Sequence, residues 1–299
     1  MKPAAFDYQR IEHAEEAASV LAQLGEDARI LAGGQSLMAV LNMRLAQPQR
    51  LLDISRSQDL AQVRVDVHAD GHADVRAHAD ADAHVRAGGG ALHIGAAATQ
   101  AAVEWRPTLA QEVPLLALAF PHISHFQIRN RGTVAGSIAH ADPSAELPLC
   151  LLALGGEVLL RSARATRRVP AAAFFTGMLL TARRADELVE AVRFPLAVPG
   201  QGHGFEEFAV RHGDFAICAV AALADAKRLR IAVGGVTDCA VARDYPVLVG
   251  SALDDALNEL AWSLQARDEP QASAALRRQL VRTLGRRAVL AAYATRGSA

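Results

Sequence analysis

The chain has 299 residues, enough for one large domain or two to three small ones with cores of their own. Apolar residues make up 51% and charged residues 21%, which indicates a globular rather than a disordered protein. The formal net charge of −1 and the aromatic content of 5% favour neither nucleic acid nor an anionic membrane as a partner. Three scattered cysteines exclude a disulfide framework and a cysteine-ligated iron–sulfur cluster within the chain.

The first 57 residues predict a small α/β unit. Apolar spacing predicts a helix over 11–24, which Gly25 ends. The segments ARILA (28–32) and RLLDIS (50–55) predict strands, and GGQS followed by a helical pattern lies between them.

A second part, 58–175, predicts buried helices between strands. ALHIGAAAT (91–99) and EVLLRS (157–162) predict strands, and Thr99 is a candidate N-cap. VPLLALAFPHI and SAELPLCLLALGG predict buried helices, so Cys150 is expected to be buried as a small hydrophobic residue.

The third part, 176–299, predicts an antiparallel meander followed by two helices. The expected strands are 186–195, 203–211, 214–225 and 228–236, and the expected helices are 251–265 and 273–296. The N-terminus lacks the apolar stretch of a secretory signal, and the longest apolar run, 147–154, is too short to span a bilayer. We therefore expect a cytoplasmic protein without a transmembrane segment.

An alternating tract, VDVHADGHADVRAHADADAHVRAGGG, occupies 65–90. Alternation is the β period and Asp70-Gly71 is a turn signal, so the tract predicts hairpin strands inserted at about 64–87. His68, Asp70 and His72 share a strand face and suit zinc or nickel. The low complexity and expected exposure of the tract favour an insertion without a metal site.

Two glycine-rich loops carry the candidate chemistry. LAGGQSLM (31–38) lies between a strand and a helix, where backbone N–H groups approach a phosphate and a helix N-terminus favours negative charge. It matches neither the Rossmann fingerprint nor the Walker A motif, and a plain tight turn explains two glycines equally well. IRNRGTVAGSIAHADPSAELP (128–148) adds hydroxyls and two carboxylates, which either bind a nucleotide or act as helix caps.

AGGQSLMAVLNMRLAQP followed by LLDIS, and RNRGTVAGSIAHADPSAELP about a hundred residues later, closely resemble the FAD-binding medium subunit of molybdenum hydroxylases. That family includes carbon monoxide dehydrogenase, nicotine dehydrogenase and the flavin domain of xanthine dehydrogenase. GFEEFAVRHGDFAICAVAA and the closing helices resemble its C-terminal domain, so the resemblance covers nearly the whole chain. It implies an α+β fold in which a two-subdomain, PCMH-like FAD-binding domain precedes a domain with a small antiparallel sheet and helices.

The resemblance also implies which residues bind FAD. The first loop would hold the pyrophosphate with Ala32, Gly33, Gly34, Gln35, Ser36 and Leu37, while Leu31 and Met38 would lie near the flavin. The second loop would contribute Thr133, Gly136 and Ser137, with Asp142 and Glu146 on the ribose–adenine side. No residue is assigned as a catalytic acid or base.

Two residues depart from the family pattern. Ala135 replaces a glycine of the second loop. If the backbone at this position needs a positive φ, alanine costs about 1 kcal/mol of folding free energy. Otherwise its methyl group only crowds the phosphate. FAD binding is expected to survive this change. Glu207 stands where many relatives have lysine, so a charge-based flavin contact at this position is not carried over.

Other side chains remain open to two interpretations. The histidines near the second loop either contact flavin or a partner or serve as ordinary hydrogen-bonding groups: His122, His125 and His140. Phe205 either shields the isoalloxazine ring or packs in the core. Trp105 and Trp262 fit a partner surface or the core equally well.

By the resemblance, the chain is the electron-transfer subunit of an oxidoreductase. A molybdopterin-binding large subunit hydroxylates the substrate, and [2Fe–2S] clusters on a small subunit pass electrons to FAD here, which delivers them to O2, NAD+, a quinone or another carrier. The expected assembly is a dimer of heterotrimers. The alternatives are a free-standing FAD oxidoreductase of the same fold and a non-catalytic nucleotide-binding interaction subunit.

Overall fold

The structure is a computed structural model that describes residues 2–67 and 90–297. The predicted hairpin tip and the candidate ligands His68, Asp70 and His72 lie outside these residues. Val67 is paired with Gly90 in two adjacent antiparallel strands, so the alternating tract connects neighbours of one sheet.

The N-terminal part contains a parallel sheet of three strands. Its elements are β1 (Asp7–Arg10), α1 (Ala14–Leu24), β2 (Ala28–Leu31), α2 (Leu37–Asn42) and β3 (Arg50–Asp53). The strand order is β1-β3-β2, so β2 and β3 lie side by side and both end at the same edge. The predicted order of strand, glycine turn, helix and strand is confirmed, and α1 ends at Gly25, whose φ is +53°.

The middle part is built on a five-stranded antiparallel sheet of order β4-β5-β10-β6-β7. Its strands are β4 (Val63–Val67), β5 (Gly90–Gly95), β6 (Glu157–Arg161), β7 (Thr166–Pro170) and β10 (Leu188–Pro195), and a separate hairpin comprises β8 (Phe175–Gly177) and β9 (Leu180–Thr181). Its helices are α3 (Gln100–Glu104), α4 (Leu109–Glu112), α5 (Pro114–Ala119), α6 (Phe126–Arg129), α7 (Val134–His140), α8 (Glu146–Leu154) and α9 (Ala171–Phe174).

The prediction that 186–195 begins the C-terminal meander is wrong. β10 lies between β5 and β6, where Val192 pairs with both Ile94 and Val158. Its residues are mostly buried on both faces, and local spacing does not reveal which sheet such a strand joins. The division at 57 and 175 stays a prediction, and the pairing of β10 favours a later end of the second part.

The C-terminal part is a four-stranded antiparallel meander followed by two helices. Its elements are β11 (Gly202–Phe208), β12 (Cys218–Ala224), β13 (Arg228–Gly234), β14 (Val241–Pro246), α10 (Gly250–Ser263) and α11 (Ala274–Thr295). A Cβ on Gly204 would overlap the Ala288 carbonyl, so this glycine allows α11 to pack directly on β11.

The hydrophobic core joins the parts. Its larger cluster contains Leu149 of α8 and Val192 of β10 and extends to Phe205 and Leu223 of the C-terminal sheet. Each fully buried large side chain of this kind stabilises the fold by about 1.5–3 kcal/mol. A second cluster lies among β12, β13, α10 and α11. No helix within 2–67 and 90–297 is both long and apolar enough to cross a bilayer.

Candidate cofactor-binding site

The loop between β2 and α2 touches the loop that precedes α7. A Cβ on Gly33 would overlap the Arg131 carbonyl and would lie 2.6 Å from the Gly132 Cα, so only glycine fits at this contact. Gly34 has φ of +73°, a conformation that other residues rarely adopt. The two glycines therefore have separate steric causes, and a plain tight turn does not account for Gly33.

The first loop presents backbone donors that have no partner in the described chain. The Gln35 side-chain amide donates to the Gly33 carbonyl at 3.0 Å, and the Met38 N–H donates to the Gly34 carbonyl at 3.1 Å. Among the residues that the structure covers, the N–H groups of Gly33, Gly34, Gln35 and Ser36 form no hydrogen bond. Successive free N–H groups of this kind form an anion-binding cradle.

The cradle opens into a cavity of about 330 Å³, within the size range of ligand sites. Six of the residues predicted from the sequence line it: Leu31, Ala32, Gly33, Gly34, Gln35 and Met38. Ser36 and Leu37 stand beside these at the start of α2, where the Ser36 hydroxyl forms no cap hydrogen bond. The first-loop residues are thus brought together around one cavity.

Asp53 and Ser55 also line the cavity, and sequence reasoning missed them. Tyr8 Oη donates to Asp53 Oδ2 at 2.5 Å, and the Ser55 N–H donates to Asp53 Oδ1 at 2.8 Å. Partial burial favours a raised pKa at Asp53, but these hydrogen bonds outweigh it and lower the pKa. The segment DIS (53–55) stands at the end of β3, which is parallel to β2. Parallel strands place their carboxyl ends at one edge of a sheet, so residues at the end of β3 lie beside the loop that follows β2. This is the signal that could have identified Asp53 and Ser55.

Arg131 supplies a positive charge to the same cavity. Its side chain is exposed and, within the described ranges, forms no ion pair. A guanidinium in this position can bind phosphate oxygens with two parallel hydrogen bonds. Arg131 lies within the segment RNRGT, and the sequence alone indicates no role for it.

In the second loop, Thr133 and Gly136 form a helix cap. Thr133 is buried, and its Oγ1 accepts from the Gly136 N–H at 3.0 Å. A Cβ on Gly136 would lie 2.6 Å from that oxygen, so a larger residue would disturb the cap. Ser137 follows in the first turn of α7 and is half-buried.

Ala135 is compatible with the backbone of α7. It does not have positive φ, and its side chain is 2% exposed within the larger core cluster. The conformational cost considered for a positive φ therefore does not arise.

Asp142 and Glu146 follow α7 in the chain and do not line the first-loop cavity. Asp142 Oδ1 accepts from the Ser144 N–H at 2.8 Å in the turn before α8. Glu146 begins α8, and burial raises its pKa to about 7. Thr133, Gly136 and Ser137 are likewise absent from the residues that line this cavity.

The remaining candidates divide between core and surface. Phe205 is buried, and its ring centroid lies 5.2 Å from that of half-buried His122. Trp105 and Trp262 are exposed, whereas Cys150 is fully buried as predicted. His125 is exposed and His140 half-buried.

The family model described as the FAD binding domain in molybdopterin dehydrogenase matches residues 4–197. The chain is 36% identical to the nicotine 6-hydroxylase medium subunit of Paenarthrobacter nicotinovorans, over 98% of this chain and 99% of that protein. It is 34% identical to the 6-hydroxypseudooxynicotine dehydrogenase complex subunit alpha of the same organism, over 95% and 93% of the two chains.

The fold matches that of carbon monoxide dehydrogenase from Hydrogenophaga pseudoflava with a TM-score of 0.85 and 27% identity, over 99% of this chain and 100% of that one. This match confirms the predicted α+β fold with its C-terminal sheet and helices. The relatives are oxidoreductase subunits by name, and FAD is the cofactor named in the family description. The chain therefore belongs to the FAD-binding subunits of molybdenum hydroxylase-type dehydrogenase complexes.

Proposed function

We propose that the chain binds FAD at the contact between its two glycine-rich loops and passes electrons from [2Fe–2S] clusters of a partner subunit to an external acceptor. The observation that carries this proposal is the run of N–H groups without a hydrogen-bond partner at Gly33–Ser36, of which Gly33, Gly34 and Gln35 line the same cavity as Arg131. Such a cradle fits a pyrophosphate, because both the amides and the guanidinium favour negative oxygens.

Each residue around the cavity has a distinct proposed role. The amides of the first loop and Arg131 bind the pyrophosphate, and Leu31 and Met38 supply apolar contacts near the flavin. The Asp53 carboxylate accepts from a cofactor hydroxyl, since hydrogen bonds already hold it in the ionised form.

The second loop is proposed to complete the site. Thr133 and Gly136 shape the start of α7, and the Thr133 hydroxyl can still donate its own proton while Oγ1 accepts. Ser137 adds a second hydroxyl for the phosphates. Asp142 and Glu146 are proposed on the ribose–adenine side, where Asp142 already orders the turn before α8.

Bound FAD links one-electron carriers to acceptors that take one or two electrons. The protein contributes position and charge: it binds the phosphates, orders both loops against each other and surrounds the cofactor with fixed dipoles. No side chain is assigned a proton transfer to substrate, because in this proposal the substrate reacts on another subunit.

Separate polypeptides are proposed to carry the molybdopterin and [2Fe–2S] groups, in a dimer of heterotrimers. The three scattered cysteines of this chain are too few to ligate such clusters. One relative is named as a medium subunit, and another is named as subunit alpha of a dehydrogenase complex. Exposed large apolar residues, among them Trp105, Phe126 and Phe215, provide surface suited to such partners.

The test of this role is co-expression with candidate molybdopterin-binding and iron–sulfur subunits, followed by affinity purification of this chain. We expect all three subunits to co-purify and reduced clusters to reduce the flavin in stopped flow. Isolation as an active single chain would favour the free-standing oxidoreductase. Flavin that is bound but never reduced in the assembled complex would favour a non-catalytic subunit.

A further inference from the structure

A mostly buried ion pair joins α3 to the segment that leads into the second glycine-rich loop. Glu104 ends α3 and Arg129 ends α6, and the exposed fractions of their side chains are 14% and 11%. The guanidinium meets the carboxylate with two parallel hydrogen bonds, from Nε to Oε2 at 2.7 Å and from Nη2 to Oε1 at 3.0 Å. This two-pronged geometry fixes the direction of the guanidinium as well as the place of its charge.

Arg129 also binds the turn that precedes α6. Its Nη1 donates to the Ile123 carbonyl at 2.7 Å and to the Ser124 carbonyl at 3.2 Å. Ser124 has φ of +44°, a conformation that residues with a side chain seldom adopt unless the surrounding structure holds it. The β11–β12 loop contacts the same turn, because a Cβ on Gly213 would lie 2.8 Å from the Ser124 carbonyl oxygen. One guanidinium group therefore connects α3, this turn and α6.

The chain that leads from α6 to the cofactor cavity is held by short-range hydrogen bonds. The Arg131 N–H donates to the Ile128 carbonyl at 3.1 Å, and the Gly132 N–H donates to the same oxygen at 2.7 Å. The Gly132 carbonyl in turn accepts from the Gln100 N–H at 2.7 Å, at the start of α3. Gln100 and Glu104 lie one helical turn apart, so α3 contacts this segment at two points.

We propose that Arg129, oriented by Glu104, is a positioning residue for the cofactor, because it sets the place of Arg131 against the first loop. Among the described residues, the lining of the cavity includes Arg131 but neither Glu104 nor Arg129. The ion pair acts through the backbone, which brings the Arg131 carbonyl to its contact with Gly33. This inference rests on the proposed binding of FAD at that cavity, and it adds no direct contact with the cofactor.

The ion pair is suited to position the loop rather than to attract phosphate. Glu104 neutralises the charge of Arg129, and all three guanidinium nitrogens already donate within the chain. Removal of one partner alone would leave a mostly buried charge without its counter-charge. The informative change therefore removes both charges at once.

The test measures FAD binding to the full-length apoprotein of the wild type and of the double variant Glu104→Gln with Arg129→Gln, well below their unfolding temperatures. We expect the dissociation constant of the double variant to rise by at least about tenfold, because Arg131 and the amides of the first loop no longer face the same phosphate oxygens. The matched control is Arg106→Gln with Glu112→Gln, which removes another two-pronged pair near α3. Its FAD affinity should equal that of the wild type.

The salt dependence of binding separates positioning from general stability. The double variant keeps the net charge of the wild type and still contains Arg131, so a fold that is merely less stable would leave the slope of affinity against salt unchanged. We expect a shallower slope, because Arg131 has moved away from the phosphates. Wild-type affinity, or a lower affinity with an unchanged slope, would overturn the positioning role. A wild type that binds no FAD would instead refute the proposed function.

A milder variant covers the case in which the double variant does not fold. Arg129→Lys keeps a positive charge beside Glu104, but its donors radiate from one nitrogen and cannot bind both carboxylate oxygens and the two turn carbonyls together. We expect FAD binding to weaken by at least about threefold, again with a shallower salt slope. Wild-type affinity and slope in Arg129→Lys would overturn the proposal.

Discussion

Gly33 packs against the backbone of Arg131, where a Cβ would overlap the Arg131 carbonyl. This contact joins the two glycine-rich loops although nearly a hundred residues separate them. Gly33, Gly34 and Gln35, whose N–H groups have no hydrogen-bond partner among the described residues, and Arg131 consequently line one cavity.

Gly33→Ala is expected to separate the loops and to weaken FAD binding by at least about tenfold, because the added methyl group meets backbone rather than a flexible side chain. Titration of FAD into the apoprotein, followed by flavin fluorescence, measures this effect. Gly200→Ala is the control: it places alanine at φ of +80° with nothing within 4 Å, so it lowers stability without reaching the site. Equal FAD affinity in Gly33→Ala and the wild type would refute the role of the loop contact.

Arg131→Gln is expected to weaken FAD binding by about ten- to a hundredfold, the usual loss when one charge-assisted hydrogen bond is removed. The salt dependence of the dissociation constant should also become shallower. Isothermal titration at several salt concentrations checks both expectations. Arg164→Gln, on the exposed turn between β6 and β7, is the matched control and should behave like the wild type. An unchanged affinity in Arg131→Gln would remove this residue from the site.

Tyr8→Phe is expected to raise the pKa of Asp53, because it removes the phenol that donates to Asp53 Oδ2. A carboxyl with a lowered folded pKa contributes stability that is present above its unfolded value of 3.8 and is lost as the pH falls through the folded value. The stability difference between wild type and variant should therefore shrink in acid. NMR titration of the Asp53 carboxyl carbon, on protein with and without the substitution, gives the direct measurement. Identical titration curves would contradict the assignment.

Ala135→Gly, which introduces the residue that the family resemblance implies at this position, is expected to destabilise the fold by about 0.5–1 kcal/mol and to leave FAD affinity unchanged. The reason is that Ala135 occupies a helix without positive φ and buries its methyl group in the core. Urea unfolding and an FAD titration on the same samples separate the two quantities. Markedly tighter FAD binding in the variant would show that alanine crowds the phosphate after all.

Local patterns were sufficient for the elements whose periodicity is strong. The β2–loop–α2–β3 unit, the buried helix around Cys150 and the final two helices were predicted from apolar spacing and glycine signals. Five of the described strands were missed: β1, β7, β8, β9 and β14. Of these, β8 and β9 form a short separate hairpin, whereas β1, β7 and β14 are edge strands that carry charged residues such as Arg10, Arg167 and Asp244. Edge strands commonly carry charge, which removes the apolar alternation that identifies a strand.

The rest of the site depends on contacts between distant segments. Arg131 and Asp53 line the same cavity because β3 is parallel to β2 and because Gly33 admits the second loop, neither of which follows from local sequence. The placement of β10 in the middle sheet likewise depends on its pairing with β5, which lies far upstream in the chain.

The central claim is that the cavity beside Gly33 and Arg131 binds FAD. The most direct measurement is the flavin content of the purified full-length protein: the visible spectrum, the flavin released on denaturation, and the same quantities for Gly33→Ala and Gly200→Ala. The account predicts one FAD per chain in the wild type and in Gly200→Ala, and strongly reduced FAD in Gly33→Ala. A wild-type protein that is colourless and does not take up added FAD would contradict it.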